Sequence, residues 1–142
     1  MVMFYFNDGK EISRLETKYI SDISRKAVSI AEDNLKKAGL LKYVKFDYGD
    51  FLSKYPPDAS GILITNPPYG IRLDEQEQLA EFYPKLGDTL KKRFSNWNCY
   101  FLTSDLALAK LIHLKPNRKT PLFNGALECR LFEFKMVAGS NR

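Results

Sequence analysis

The sequence contains few of the residues that support redox chemistry, metal binding or membrane insertion. Among its 142 residues are two cysteines, one histidine and one tryptophan, and no apolar run approaches the roughly 20 residues that span a bilayer. The N-terminal MVMFYFNDGK lacks the basic start and the long apolar core of a signal peptide. Cys99 and Cys129 lie far apart in apolar, strand-like runs, so we expect reduced core thiols in a cytoplasmic protein, without a disulfide or a metal site.

Acidic residues are scarce in the last part of the chain. Between Lys110 and Arg142 there are two acidic residues and seven basic ones, and this segment accounts for the whole net charge of +5. A basic surface of this kind favours a polyanionic partner such as RNA or DNA. A solvated surface without a partner is the alternative that charge alone leaves open.

Strand and helix signals alternate along the first half of the chain, without repeats, low-complexity tracts or linkers. A short strand at 19–21 is followed by Ser24, which can cap a helix that Gly39 stops. A second strand, YVKFDYGD, comes next. The run GILIT at 61–65 is apolar without interruption, which is typical of a parallel strand covered on both faces.

The middle of the chain predicts a long helix at about 75–94, where apolar residues recur at helical spacing. Pro84 and Gly87 lie inside it, so we expect a kink or a break there. Another buried strand is predicted at 98–104. A short apolar helix follows, and it contains His113, for which we expect a structural role.

The C-terminal part predicts a β-hairpin. Asn124-Gly125 stands between two strand-like runs, which is a strong hairpin signal. In the last strand the apolar residues change face, and the two sets are Leu127, Cys129 and Leu131, then Phe132, Phe134 and Met136. This change predicts a β-bulge or burial on both faces.

The order of the elements predicts an α/β sheet, mostly parallel with an antiparallel C-terminal hairpin, in a single domain that covers residues 1–142. In such sheets, ligands bind at the carboxyl ends of the strands. Asp22, Asp50 and Asn66 each follow a predicted strand, as does Ser104–Asp105. Their convergence predicts a binding site at this edge of the sheet.

Two consecutive prolines, Pro67 and Pro68, follow Asn66 directly after the GILIT strand. They fix the backbone and remove two N–H donors, so the carbonyls and the Asn66 side-chain oxygen form a cluster of acceptors. Such a cluster fits an exocyclic amine, which has two hydrogens to donate, and Tyr69 offers a flat surface on which a base can stack. A plain Pro-Pro turn with a surface tyrosine is the alternative.

The Asn-Pro-Pro-Tyr stretch resembles motif IV of class I AdoMet-dependent amino-methyltransferases, which act on adenine or guanine. Three longer strings, SDISRKAVSIAEDNLKKAGL, ITNPPYGIRL and NGALECRLFEF, are similar to the catalytic domain of the THUMP-containing bacterial 23S rRNA guanine-N2 methyltransferases. The similarity covers about residues 18–137. It implies a Rossmann-like class I methyltransferase sheet, S-adenosyl-L-methionine (AdoMet) as cofactor, and methylation of a guanine N2 amine in 23S rRNA.

The resemblance assigns cofactor contacts to residues that follow strands. Asp22, with Ile23 beside it, matches the acid that hydrogen-bonds the ribose hydroxyls of AdoMet, and a carboxylate suits a diol because it has two acceptor oxygens. Asp50 matches the acid that accepts from the adenine amine, with Phe51 near the adenine ring. Asn66 would contact the cofactor as well as the target base. A turn or a helix cap is the alternative role for either aspartate.

The resemblance also implies how the target base is held. The catalytic motif consists of Asn66, Pro67, Pro68 and Tyr69, in which Asn66 and the Pro67 carbonyl hold the amine and Tyr69 stacks on the base. The candidate contacts to RNA phosphates are cationic side chains, namely Arg72, Lys115, Arg118 and Lys119.

The first residues depart from the family pattern. The family has a Gly-rich loop after strand 1, whereas the segment before Asp22 has one glycine, Gly9, and no Gly-x-Gly pattern. A truncated or degenerate strand 1 would leave two sheet edges unpaired, unless VMFYF (2–6), a second polypeptide or an upstream part fills the gap. We therefore expect a partial methyltransferase domain. The alternatives are a DNA adenine N6-methyltransferase and a non-catalytic fragment that binds nucleic acid or another partner.

Overall fold

The computed structural model describes residues 3–6, 18–68 and 73–138, with the side chains of 19–68 and 73–138. The strands are β1 (Met3–Phe6), β2 (Lys18–Asp22), β3 (Val44–Tyr48), β4 (Gly61–Thr65), β5 (Trp97–Thr103), β6 (Arg118–Asn124) and β7 (Leu127–Lys135). The helices are α1 (Arg25–Lys37), α2 (Leu73–Arg93) and α3 (Leu108–Leu111), and short 3-10 turns lie at Leu41–Tyr43 and Phe51–Ser53.

The seven strands form a mixed sheet in the order β3-β2-β1-β4-β5-β7-β6. β2 and β3 pair in parallel, as do β4 and β5, and β6 points the same way because two antiparallel steps separate it from β5. Only β1 and β7 run in the opposite direction. The predicted sheet, mostly parallel in strand direction with an antiparallel C-terminal hairpin, is confirmed.

Strand β1 joins the two halves of the sheet. Met3 lies opposite Ser21 of β2 on one side and opposite Thr65 of β4 on the other. The VMFYF run therefore occupies the gap between β2 and β4 and pairs with the edges of both. It does so antiparallel to both neighbours, so that Phe6, its last residue, lies opposite Ile62 near the amino end of β4.

Helix α1 has the two end signals that the sequence predicts. The Ser24 side chain accepts a hydrogen bond from the Ala27 N–H at 3.2 Å, which satisfies one of the free donors at the start of the helix. Gly39, at φ 72°, follows the helix end in the left-handed conformation that favours glycine. Both predictions are confirmed, and Val28 is buried on the side of α1 that packs on β2 and β3.

Helix α2 continues from Leu73 to Arg93 with Pro84 inside it, so of the predicted kink or break the break does not occur and the kink stays a prediction. Its buried face, which includes Tyr83 and Leu86, stabilises the helix although the proline lacks one N–H donor. Gly87 has another role, because a Cβ there would lie 2.1 Å from the carbonyl oxygen of Ile112. Glycine is needed for this close approach of the chain after α3.

The main core lies between α2 and one face of the sheet, where Leu63, Cys99 and Phe101 are fully buried. The opposite face is covered by α1 at β2 and β3. Ile64 of β4 points to that opposite face and is 37% exposed. The prediction that GILIT is covered on both faces is therefore wrong for the described part of the chain, because α2 covers one face and α1 packs on other strands.

The C-terminal hairpin is regular. Its register runs without interruption from Arg118 opposite Glu133 to Asn124 opposite Leu127, so the predicted β-bulge is wrong. Gly125, at φ 62°, begins the two-residue loop, and the predicted hairpin is confirmed. Phe132 and Phe134 of the last strand are buried, as is Met136 directly after it. The other apolar set is not: Cys129 and Leu131 are half-buried and Leu127 is exposed, because the hairpin extends beyond the core.

The residues that were scarce in the sequence have ordinary surroundings. Cys99 is buried and Cys129 half-buried, both as free thiols, and burial raises the pKa of Cys99. His113 is exposed, at φ 56°, two residues past the end of α3, so its predicted place inside the helix is wrong. No helix in the described ranges is long and apolar enough to cross a membrane, and no described cluster of His, Cys, Asp or Glu could hold a metal.

The contact at Gly87 gives a test of the packing between α2 and the chain after α3. We expect Gly87→Ala to lower the free energy of unfolding by about 1–3 kcal/mol, because the added Cβ cannot fit against backbone atoms of Ile112. Asp88→Ala, at the exposed next position of the same helix, should change it by less than about 0.5 kcal/mol. Urea denaturation measures both, and equal midpoints for the two variants would contradict the close contact.

Candidate active site

One edge of the sheet gathers the carboxyl ends of β2, β3 and β4. Ser21 and Thr65 both lie opposite Met3, so the residues that follow them, Asp22 and Asn66, stand at the same level. They are about 10 Å apart across β1, since neighbouring strands are about 4.8 Å apart. The structure therefore brings these two predicted site residues to one edge.

Asp22 is buried, and its side chain accepts a backbone hydrogen bond just before α1. The residue is 5% exposed, and its Oδ1 accepts a hydrogen bond from the Ser24 N–H at 2.7 Å. Its carbonyl oxygen accepts from the Gly49 N–H at 3.0 Å, and Gly49 adopts a φ of 134° that favours glycine. A carboxylate has about four lone-pair positions, and the bond from the Ser24 N–H uses one of them. Ile23 beside it is 67% exposed.

Asp50 follows β3 and caps the 3-10 turn that comes after it. Its Oδ1 accepts from the Leu52 N–H at 3.0 Å, and the residue is exposed at the sheet edge. Phe51 is only 7% exposed, and its ring packs on Phe94 with the ring centroids 5.2 Å apart. The Phe51 ring thus packs in the core, and its place near the adenine ring stays a prediction.

Arg93, at the end of α2, holds the segment that follows Asp50. Its Nη1 donates to the carbonyl oxygens of Leu52 at 2.9 Å and Lys54 at 3.0 Å. Its guanidinium also lies 4.4 Å from the ring centroid of Tyr55. Three contacts from one side chain fix this loop on the helix. The sequence analysis did not identify Arg93, because a basic residue in the last turn of a helix usually only complements the helix dipole.

The prolines after β4 leave the sheet next to α2. Asn66 and Pro68 are exposed, and Pro67 between them is buried. The hydroxyl of Tyr83 donates a hydrogen bond to the Pro68 carbonyl oxygen. Tyr69 and Arg72, which the sequence assigns to base stacking and RNA binding, lie outside the described residues.

Tyr83 is held as a neutral donor. Burial, and secondarily the charge of Asp105, raises the pKa of Tyr83 to about 12. Asp105 follows β5 at the same sheet edge, and its Oδ1 accepts from the Ala107 N–H at 2.9 Å. The phenol therefore stays protonated at physiological pH. Only helical spacing marks Tyr83 in the sequence, and that spacing predicts a core residue without a polar role.

A cavity of about 170 Å³ lies on the other side of β2 and β3, between the strands and the segment at 54–57. Its lining includes Ser21 and Asp47, whose side chains alternate with that of Asp22 and so point to the opposite face. Lys54 forms an ion pair with Asp47 at 2.5 Å and lowers the pKa of that carboxyl. This paired charge leaves the cavity with little attraction for an ionic ligand.

The predicted RNA-binding cations lie away from this edge. Lys115, Arg118 and Lys119 are all exposed, on β6 or just before it. Three strand spacings, about 15 Å, separate β6 from β4. The structure does not bring them to Asn66. Arg118 and Lys119 are consecutive in the edge strand β6, so their side chains point to opposite faces of the sheet.

The edge suits one part of AdoMet better than the other. The Asp22 and Asp50 carboxylates are acceptors of the kind that a ribose diol and an adenine amine need, and both stand at the ends of adjacent parallel strands. The family's Gly-rich loop directly follows strand 1, whereas β1 presents its first residue, Met3, to this edge. β1 therefore does not supply the close backbone approach that the amino-acid end of the cofactor requires.

Sequence comparison shows the family of the chain. The family described as "RMKL-like, methyltransferase domain" matches residues 7–133. The ribosomal RNA large subunit methyltransferase K/L of Shewanella baltica is 42% identical over 132 residues, which are 92% of this chain and 19% of that protein. The protein of the same name from Shewanella oneidensis is 41% identical over the same span. The chain thus spans about a fifth of the length of these relatives.

Solved structures give the same grouping. A possible methylase from Clostridium difficile 630 superimposes with a TM-score of 0.77 and 31% identity, over 87% of this chain and 33% of that one. The SMU.472 protein, solved as a complex with SAH, gives a TM-score of 0.74 and 28% identity, over 84% of this chain and 32% of that one. Both agree with the Rossmann-like sheet.

Proposed function

Because this chain belongs to the family of RMKL-like methyltransferase domains, we propose that it carries the base-binding motif and part of the cofactor site of an AdoMet-dependent ribosomal RNA methyltransferase. The observation that carries this proposal is that Asp22 and Asn66 lie at the same height along the sheet, on either side of β1. Two acceptor groups of different chemistry then face one edge, which suits a cofactor on one side and a target base on the other. We propose a cytoplasmic location, where ribosomal RNA would be the partner.

The cofactor part of the site consists of the ends of β2 and β3. Asp22, with Ile23 beside it, would bind the ribose hydroxyls, and Asp50 would accept from the adenine amine. The hydrogen bond from the Gly49 N–H to the Asp22 carbonyl ties these two ends together, so both carboxylates keep a fixed relation. The backbone at Phe51 remains a candidate contact, while its ring belongs to the core.

The base part of the site consists of Asn66, Pro67, Pro68 and Tyr69. The Asn66 side-chain oxygen and the Pro67 carbonyl would accept both hydrogens of an exocyclic amine, which directs the nitrogen lone pair, and Tyr69 would stack on the base. AdoMet supplies an electrophilic methyl group when bound. Positioning of the amine, rather than a strong base, would provide most of the rate enhancement.

The proposed substrate is a guanine N2 amine of 23S rRNA. The names of the 42% identical relatives, which refer to the large ribosomal subunit, support RNA over the DNA adenine N6 amine. The excess of basic residues after Lys110 also supports a nucleic acid partner.

A second candidate function is nucleic-acid binding without catalysis by this chain alone. The antiparallel direction of β1 favours it, because β1 brings no Gly-rich loop to the site edge. We propose that this loop comes from a second polypeptide or an upstream part. Assays of the chain with and without such a part separate the two candidates. Methyl transfer in either assay that is lost in Asn66→Ala supports the first candidate, and RNA binding without methyl transfer in both assays supports the second.

The ribose assignment predicts that Asp22→Asn weakens AdoMet binding by about 10–100-fold, because hydrogen bonds to a charged group contribute about 1.5–3 kcal/mol. The amide oxygen can still accept from the Ser24 N–H, so the fold should be retained. Amide chemical shifts in an NMR titration with AdoMet detect even weak binding. Asp33→Asn, at an exposed position of α1, is the matched control. Equal affinity of both variants would show that Asp22 does not bind the ribose.

The base assignment predicts that Asn66→Ala lowers the rate of methyl transfer by about 100-fold, as expected when a reacting group loses its orientation. The assay uses unmodified 23S rRNA transcript and labelled AdoMet, and mass spectrometry of the nucleosides identifies the product. Asn34→Ala, at an exposed position of α1, should retain the rate. N6-methyladenine in a DNA substrate, in place of N2-methylguanine in RNA, would overturn the substrate proposal.

The basic surface predicts a salt-dependent RNA affinity. The slope of log K against log salt is negative, and each phosphate contact to a single strand contributes about −0.7 to it. Replacing Lys115, Arg118 and Lys119 together with alanine should therefore make the slope less negative by about 2. Replacing Lys26, Lys36 and Lys37 of α1 removes the same charge from another surface and is the control. Filter binding measures both slopes, and equal slopes would indicate that the charge acts without these contacts.

A further inference from the structure

The rings of the two prolines fix the φ angle but not ψ, so the direction of each carbonyl depends on further contacts. The described contact is the hydrogen bond from the Tyr83 hydroxyl to the Pro68 carbonyl oxygen, across 15 residues of sequence. This bond joins α2 to the last proline of the motif. It leaves the Pro67 carbonyl and the Asn66 side chain as the acceptors assigned to the target amine.

Tyr83 is itself rigidly placed. It is 1% exposed, and its ring packs edge-on against Phe82 with the centroids 5.7 Å apart. One turn further along α2, Gly87 fits directly against the Ile112 backbone, which fixes the helix against the chain after α3. A donor in such a setting has one orientation, so the position of the Pro68 carbonyl follows from the packing of α2.

We propose that Tyr83 is a positioning residue for the base motif, in which its hydroxyl fixes the Pro68 carbonyl and thereby orients Asn66 and the Pro67 carbonyl toward the target amine. The inference rests on the proposed function of these acceptors and deepens it. Tyr83 has no contact with the base in this scheme and acts through Pro68. The neutral, buried phenol remains a donor across the pH range in which an enzyme operates.

The kinetic test is Tyr83→Phe, which removes the hydroxyl and keeps the ring in the core. In the rRNA assay we expect kcat to fall by about 10–100-fold, because small displacements of a reacting group have effects of this size. The KM for AdoMet should stay within about 2-fold, since the proposed ribose and adenine contacts, Asp22 and Asp50, lie at the ends of β2 and β3 and only the Asn66 contact is affected. Tyr100→Phe, at a half-buried position of β5, is the matched control and should retain both constants. An unchanged kcat in Tyr83→Phe would overturn the inference.

A second readout needs no activity. The side-chain amide signals of Asn66 in a ¹⁵N–¹H NMR spectrum of the full chain should shift or broaden in Tyr83→Phe and stay unchanged in Tyr100→Phe. Superimposable Asn66 signals in the Tyr83 variant would overturn the positioning role even if the protein methylates RNA. A clear change in a chain that transfers no methyl group, even when the part with the Gly-rich loop is added, would support the positioning role and reject the proposed function, so the two failures are distinguishable.

Discussion

The pairing of β1 between β2 and β4 is the constraint on which the rest of the structure depends. Within the described residues, β3 and β2 form one part of the sheet and β4, β5, β7 and β6 form the other, and β1 alone pairs with both. The backbone hydrogen bonds of this short strand therefore set the register between the two parts. A slip of one residue in either pairing would move Asp22 relative to Asn66.

The direction of β1 also determines which half of a cofactor site the sheet can provide. A strand parallel to its neighbours would end between Asp22 and Asn66 and could continue there into a loop. An antiparallel strand begins there instead, with Met3. The carboxylates at the ends of β2 and β3 are unaffected by this reversal, because they depend on their own parallel pairing. The reversal thus separates the ribose and adenine contacts from the backbone contacts of the family's Gly-rich loop.

Local signals in the sequence were sufficient where a single residue decides the conformation. Ser24 caps α1 and Gly125 begins the hairpin loop, each for a reason that can be read from neighbouring residues. Neighbouring residues are not sufficient where packing decides. α2 continues through Pro84 because the helix face around it is buried. The Phe51 ring packs on Phe94, a contact that the residues next to Phe51 do not indicate.

The sequence was sufficient to predict the acceptor groups of the candidate site, but not the donors that hold the neighbouring backbone in place. Asp22 and Asn66 follow strands, so the rule that ligands bind at strand ends finds them. Arg93, at the end of α2, and Tyr83, in its middle, lie 39 and 15 residues from the carbonyls of Lys54 and Pro68 that they contact. No spacing within the sequence shows which carbonyl a distant donor will meet, because that depends on how α2 lies across the sheet.

The chemistry of the base motif agrees with this division between acceptors and supports. Its acceptors are an amide oxygen and peptide carbonyls, none of which titrates, and its described supporting donor is a phenol whose pKa is raised to about 12. Within the described residues, these groups offer no proton acceptor of useful basicity. On the proposed assignment, the motif would therefore favour the reaction by where it holds the nitrogen and its lone pair. The rate of the proposed methyl transfer would therefore depend on the rigidity of α2 and on the register that β1 sets between β4 and β2.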